Sequence, residues 1–489
     1  MLVMKFGGTS VGDGERILQV ARLVAGIEDL DIRPSIASRK LLVISAMSGV
    51  TDMLLGAAKA AATHDGEVVR EVAGELRGRH QEVARKVAPP GEEEGLLALV
   101  NSLVGEFESL CHAVSILGEL TPRGLDAIAS IGERLSVRLV AAALRKEGLP
   151  AVVLDATELI VTDDNFTNAS PLMEETEARV RQRLLPPLEQ GKVPVVTGFI
   201  GATEAGTTTT LGRGGSDLSA AILGYCLDAD EVWIWTDVDG VMTADPRIVP
   251  EARTIAEISY AEVAELSYFG AKVLHPKTVL PAMEKGIPIR ILNTFNPIGP
   301  NTVIVAEPKP NRETVKGITS IKEVSLVTVE GRGMLGVPGI AARVFSAVAG
   351  EGISVLMISQ SSSEQNICFV IRREETGRAL KALEKAFAYE MARRNVDRIW
   401  AQEGVAIIAV VGAGMKGTPG IAAKVFGALG WAGINVVSIA QGSSEYNLSL
   451  VVSEEEADEA VRAIHKKFEL GGGEAERVPT FAKPASAGD

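Results

Sequence analysis

Cysteine is scarce in this chain, which holds Cys111, Cys226 and Cys368 far apart and in no C-x-x-C arrangement. A disulfide-stapled secreted fold is excluded, and buried thiols in a reducing compartment are expected. The five histidines, at 64, 80, 112, 275 and 465, form no H-x-x-x-H pair and no cluster with cysteine, so no protein-held metal is expected. Positive charge is in deficit: the net charge is -14. That balance excludes a general nucleic-acid or anionic-membrane surface, since both need clustered Lys and Arg, and any phosphate site must be local. No apolar run reaches the roughly 18 residues needed to span a bilayer, and no basic leader precedes the first apolar run. A cytoplasmic protein is the expectation. What remains is ordinary for a globular protein, with 46% hydrophobic and 23% charged residues over 489 positions, a length that fits two to four domains.

The first dozen residues carry the strongest local signal. Leu2-Val3-Met4-Lys5-Phe6 is an apolar run that breaks into Gly7-Gly8-Thr9-Ser10-Val11-Gly12 just before a helical pattern. A buried parallel strand, a glycine loop whose amides can approach an anion, and the positive end of a helix would together bind phosphate. Lys5 adds a mobile charge there. Two other readings stay open on these residues alone. Gly8-Thr9-Ser10-Val11-Gly12 also fits the G-x-S-x-G nucleophile elbow of acyl hydrolases, and a glycine turn that merely lets a helix start would look the same.

The same grammar recurs down the chain. Leu41 to Ile44, Ala151 to Leu154, Val193 to Ile200, Glu231 to Thr236, Ile287 to Leu292 and Thr302 to Val305 read as strands, several ending in Gly, Ser, Thr or Asp. Strands alternating with helical patterns predict a mainly parallel sheet covered on both faces, with ligands beyond the strand C-termini. Ala57 to about Leu120 alternates charge with Leu, Val and Ala at helical periods, an insert of surface helices with a structural role. The proline-containing stretch Ala306 to Asn311 reads as a linker, placing a boundary near residue 308.

Beyond it the chain repeats itself at an offset of 81 residues: Gly333 to Phe345 recurs as Gly414 to Phe426, and Gln360 to Asn366 as Gln441 to Asn447. Each copy reads as a βαββαβ module. Gly412-Ala413-Gly414-Met415-Lys416-Gly417 matches G-x-G-x-x-G, as does its partner from Gly331, but no acid lies between Gly417 and Glu445 to hold a ribose, which argues against a dinucleotide site. The hydrolase reading needs a histidine, and only His275 sits in a small-residue motif, beside Pro276.

Between Thr207 and Ala220 lie four threonines, Arg213, three glycines and Asp217 before another helix. Such a loop can offer amides, hydroxyls and a guanidinium to a carboxylate or phosphate, though a solvated glycine hairpin would read alike. Taken together, Lys5-Phe6-Gly7-Gly8-Thr9-Ser10, Gly212-Arg213-Gly214-Gly215-Ser216-Asp217, Thr236-Asp237-Val238-Asp239-Gly240 and Phe269-Gly270-Ala271-Lys272-Val273-Leu274-His275-Pro276 resemble the aspartate kinases, of the amino acid kinase family. The resemblance covers nearly the whole chain. It implies a three-layer αβα kinase domain over 1–308 with a mainly parallel sheet, then tandem βαββαβ ACT modules over 309–400 and 401–470, with a disordered tail at 471–489. Nothing but that tail is expected after the second module, so no fused homoserine dehydrogenase is expected.

What the resemblance implies is transfer of the γ-phosphoryl group of ATP to the side-chain carboxylate of aspartate, the first step toward lysine, threonine and methionine, with Mg²⁺ arriving on the nucleotide. Lys5, Asp217 and Lys272 are implied as catalytic, Asp217 orienting the lysines. Lys5, Gly7, Gly8, Thr9, Ser10, Thr236, Asp237, Asp245, Arg247 and Lys272 would meet ATP. Thr51, Glu133, Phe199, Arg213, Gly214, Gly215 and Ser216 would hold aspartate, Arg213 pairing with a carboxylate and Glu133 with the α-ammonium. By itself Glu133 reads as a helix-surface charge. Met242 departs from the tyrosine common in the family, which puts any stacking or hydroxyl contact there in doubt. Gln360, Asn366, Gln441 and Asn447 are implied effector contacts, with threonine favoured over lysine, although polar turns that cap strands would look similar. A homodimer through the ACT modules is expected. The alternatives are another carboxylate kinase of this fold and an ACT amino acid sensor with an inactive kinase domain.

Overall fold

The computed structural model describes residues 1–27, 39–270, 274–308, 314–360 and 365–472. Its opening run is β1 (Leu2–Phe6), buried throughout, followed by α1 (Gly14–Ala25). Asp13 caps that helix by accepting from the Arg16 amide at 3.0 Å, satisfying a donor that the first turn leaves unpaired. β2 (Lys40–Ile44) runs parallel to β1. Then come α2 (Val50–Ala62), α3 (Gly66–Val87), α4 (Glu93–Leu117) and α5 (Pro122–Lys146). The charge alternation along them is their solvent side. Leu54, Leu76, Val100, Phe107 and Ile131 on the inner side share one core with Leu2, Met4 and Phe6, as helical and strand periods require.

Strands and helices then alternate: β3 (Ala151–Leu154), β4 (Val161–Thr162), α6 (Met173–Glu189), β5 (Val193–Thr197), β6 (Ile200–Thr203), β7 (Thr208–Thr210), α7 (Gly215–Cys226) and β8 (Glu231–Thr236). β9 (Glu257–Ser259), α8 (Tyr260–Tyr268), α9 (Leu280–Lys285), β10 (Ile289–Asn293) and β11 (Thr302–Val305) complete this part. The main sheet has eight strands in the order β3-β5-β2-β1-β8-β10-β11-β9. From β3 to β10 each neighbouring pair is parallel, and β11 turns back antiparallel to β10. Val3, Leu41 and Val43 face the second core, with Val180, Leu184, Ile222 and Val263 of α6, α7 and α8. Helices therefore cover both faces, and the layers are αβα. β4, β6 and β7 form a separate small sheet.

The C-terminal third is one six-stranded antiparallel sheet with its covering helices. It is built from β12 (Gly317–Glu330), α10 (Ile340–Gly350), β13 (Met357–Gln360), β14 (Asn366–Arg372), α11 (Thr376–Ala386), α12 (Ala388–Ala392), β15 (Arg398–Val411), α13 (Ile421–Trp431), β16 (Ser438–Gln441), β17 (Asn447–Ser453) and α14 (Ala457–Lys467). The strand order is β13-β14-β12-β15-β17-β16. One feature departs from two contiguous modules in sequence. β12 changes register after Ile321: Val324–Glu330 pair with β14, while Gly317–Ile321 pair with Ile407–Val411 beside β17. The strand that completes the second module thus comes from ahead of the first. The long antiparallel pairing of β12 with β15 makes this possible, since each strand is long enough to serve both halves. The expected tail lies outside the described residues apart from Gly471 and Gly472, as do residues 309–311 of the linker and the two that follow it.

Candidate active site

The motif loops converge beyond the C-terminal ends of the parallel strands. Side-chain alternation puts Lys5 on the opposite face of β1 from Met4 and Phe6, toward the first turn of α7. There its ammonium meets Asp217 Oδ1 at 2.5 Å, with both side chains largely buried. An acid in a first helical turn also suits the positive helix end. Gly8 lets the loop pass close to the next strand: a Cβ there would lie 2.9 Å from the Ala46 carbonyl oxygen. The loop before α7 depends on Gly214, which adopts φ 73° and has His275 Cβ 2.8 Å from where its own Cβ would be.

A cleft of about 660 Å³ opens here, of a size that takes a small ligand. Lys5, Gly8, Thr51, Glu133, Phe199, Arg213, Gly214, Gly215, Ser216 and Asp217 all line it, although they come from five separate segments. Glu133 is not the solvated helix charge its sequence context implies. It is 3% exposed; Oε1 accepts from the Ala46 amide at 3.2 Å, and Oε2 has no hydrogen-bond partner among the described residues. Burial raises its pKa to about 8, with the Ala46 N–H working the other way. A buried carboxylate with one free oxygen is a receptor for a cation. Phe199 holds φ 68°, rare for a residue with a side chain, and its amide donates to Ser219 Oγ at 3.0 Å.

Asp126 belongs to none of the sequence motifs. It is fully buried and accepts from the Thr167 amide at 2.9 Å, the Thr210 amide at 3.0 Å and the Thr210 hydroxyl at 2.7 Å, tying two loops of the cleft to α5. The signal was available: Asp126, Ala129 and Glu133 share one helical face by spacing, and all three line the cleft.

A second cleft, of about 510 Å³, is walled by Asp237, Asp239, Met242, Asp245, Arg247 and Asn293, with Ile318, Thr319, Ser320 and Val461 from the C-terminal third. Asp245 and Arg247 form an ion pair at 2.5 Å. Met242, the departure noted above, sits in this wall, its sulfur 3.5 Å from the Thr254 hydroxyl. Thr236 lies beside the cleft and bonds Asp237 at 3.2 Å. Gly7 adjoins the Lys5 ammonium, and Thr9 offers its carbonyl to Arg16.

Ser10 does not fit a side-chain role at phosphate. It is 0% exposed, and its hydroxyl is 2.7 Å from that of Thr294. This also removes the nucleophile-elbow reading, since the His275 ring nitrogen instead accepts from the Lys277 amide in a local turn. Lys272 lies outside the described residues.

Of the effector residues, Gln360 lines a hollow of about 300 Å³ with Gly336, Pro338 and Ile340. Asn366 opens β14 opposite Glu330, and Gln441 is exposed at the end of β16. Asn447 points elsewhere: its amide donates to Glu265 of α8 at 3.1 Å.

The amino acid kinase family matches residues 1–293, and the ACT domain matches 327–387 and 408–468. The bifunctional aspartokinase/homoserine dehydrogenase 1 of Arabidopsis thaliana is 39% identical over 96% of this chain and 51% of its own length. The chain spans about half the length of the bifunctional relatives it matches. Aspartokinase 3 of the same plant, also chloroplastic, is 36% identical over 95% of this chain and 81% of its own. Among solved structures, E. coli aspartokinase III with aspartate and ADP, in the R-state, superposes with a TM-score of 0.78 at 31% identity, over 96% of this chain and 99% of that one.

Proposed function

Because this chain belongs to the amino acid kinase family, with ACT domains after the kinase layer, we propose that it is an aspartate kinase, moving the γ-phosphoryl group of ATP to the side-chain carboxylate of aspartate. The observation that carries the reading is the first cleft, where the Lys5–Asp217 pair stands in the same wall as a buried, half-unpartnered Glu133 and the Arg213 guanidinium. An amino acid with two carboxylates needs one cation for its α-carboxylate and one anion for its ammonium. Arg213 and Glu133 supply these, and the remaining carboxylate is left toward Lys5.

That carboxylate is already ionised at neutral pH, so no general base is required and the work is alignment and charge neutralisation. Lys5 neutralises charge on the phosphoryl group, and Asp217 holds the lysine in place. Asp237, Asp245 and Arg247 hold the nucleotide in the second cleft, and Lys272 is the second phosphate contact. Magnesium carried on the triphosphate supplies further screening; among the described residues no group of three His, Cys, Asp or Glu side chains is arranged as a metal site. The tandem modules take an amino acid effector, threonine rather than lysine, and pair two copies of the chain. E. coli aspartokinase III has been solved with lysine and aspartate in a T-state, which supports an amino acid as the effector class. A cytoplasmic location fits three free thiols, and no described helix is long and apolar enough to cross a membrane.

The test is formation of aspartyl hydroxamate from ATP, aspartate and hydroxylamine. Lys5→Ala is expected to lower kcat by about 100-fold or more, the scale of one transition-state electrostatic contact. Product with glutamate but none with aspartate would overturn the substrate assignment.

A further inference from the structure

The loop that carries Asp245 and Arg247 is held at its base, and the residue that holds it belongs to the other half of the molecule. Thr243 and Arg253 close the loop: the Thr243 amide donates to the Arg253 carbonyl at 2.9 Å, and the Arg253 amide donates to the Thr243 hydroxyl at 3.1 Å. Having accepted from Arg253, that hydroxyl can donate its own proton, and 3.0 Å away is Nε2 of His465 in the last turn of α14. Burial lowers the pKa of His465, with Glu251 opposing and Arg253 reinforcing the shift, so Nε2 of the neutral ring is free to accept. Two more bonds fasten the same base. The Ile318 amide of β12 donates to the Thr243 carbonyl at 2.8 Å, and Arg253 Nε donates to the Leu470 carbonyl, just past α14, at 3.0 Å.

Packing points the same way. Ala244 and Val249, from within the loop, are buried in the core of the second ACT module with Val425, Leu450 and Ile464. One turn before His465, Val461 lines the nucleotide cleft itself. The base of the loop is therefore built into the regulatory module, Ala244 lying between that core and the cleft, while Asp245 and Arg247 stand in the cleft wall.

We propose that His465 is a positioning residue for the nucleotide, acting through the Thr243 hydroxyl to fix the loop that presents Asp245 and Arg247, an inference that rests on reading the second cleft as the nucleotide site. The second ACT module is then a structural part of that site, and any shift of α14 alters nucleotide affinity before it alters aspartate affinity. His465 has a specificity that general packing would lack: its replacement should change one substrate constant and spare the other.

The experiment is calorimetric titration of ADP with magnesium into the intact chain, alongside KM values for ATP and aspartate. His465→Ala is expected to weaken ADP binding about tenfold, the effect of losing one buried hydrogen bond, and Thr243→Val, which also strands the Arg253 amide, by at least as much; each should raise KM for ATP similarly while KM for aspartate stays within about twofold. Thr243→Ser and His465→Gln, which keep a donor and an acceptor, are expected to recover most of the loss. The double variant Thr243→Val/His465→Ala should be no weaker than Thr243→Val alone, because that single change already removes the bond to His465 along with the one from the Arg253 amide. Should His465→Ala fail to fold, the Thr243 pair carries the test alone. ADP binding unchanged in Thr243→Val and His465→Ala, or an equal rise in both KM values, overturns the inference and leaves the kinase reading standing. Wild-type protein that binds no ADP overturns both.

Discussion

Glu133 shows how burial gives one residue a role that its neighbours in sequence conceal. Its carboxyl is pushed up to about 8 because the protein removes its water and returns a single N–H. An ammonium ion needs the ionised form, so substrate binding must expel a proton from most molecules at neutral pH. KM for aspartate is therefore expected to rise as pH falls below 8, by about tenfold per unit when one proton is linked. Measuring KM at pH 6.5 and 8.5 checks this, and a flat profile in the wild type would remove the ammonium role. The same group has a stability consequence of opposite sense. The folded chain holds its proton between pH 4.5 and about 8 while the unfolded chain has lost it. The stabilising contribution is complete below the lower value and is lost as pH rises through the upper one.

At the scale of elements, α5 acts as a ruler across the cleft. Glu133 meets the turn after β2, and two helical turns earlier Asp126 grips Thr167 and the end of β7. Asp126→Ala would strand a hydroxyl and two amides, at roughly 1–3 kcal/mol for each group left unsatisfied. Part of that is recoverable by water, so a loss of about 2 kcal/mol in urea unfolding is expected, together with weaker aspartate binding because Arg213 and Ser216 sit just beyond β7. Normal stability and normal KM would show that the Thr210 loop holds itself. The helical period and the ends of the parallel strands were legible in the chain. The three-point grip of Asp126 was not, because its partners lie 41 and 84 positions away and only chain closure brings them together.

At the scale of the whole molecule, the regulatory sheet clasps α8. The Ala413 amide donates to Glu262, Asn447 to Glu265, the Tyr268 hydroxyl to the Val355 carbonyl, and Thr319 to the Phe269 carbonyl. Both ACT modules thus reach a helix that leads into Gly270, in the second cleft. An effector that moves the turn between β16 and β17 would pull on Glu265 through Asn447, which gives Asn447 a coupling position where the sequence had implied a ligand contact. Threonine is expected to inhibit the kinase, and Gln441→Ala to raise the half-inhibiting concentration about tenfold, within the usual range of allosteric coupling. Full activity at saturating threonine would refute the effector assignment, and unchanged inhibition in Gln441→Ala would take Gln441 out of the site.

The linear chain alone determined the parallel sheet, the convergence of its Gly, Thr and Asp loops, and the duplicated module, because each rests on periodicity or on loops that follow strands. Tertiary structure decided the rest. It closed Ser10 against Thr294, left Glu133 with one oxygen unpartnered among the described residues, and gave the second module a strand from ahead of the first. It also placed a helix of that module behind the loop of Asp245 and Arg247. The physical reason is common to all four. Burial, protonation and strand partnership depend on which distant groups meet, and local pattern specifies the faces that meet without specifying what stands opposite them.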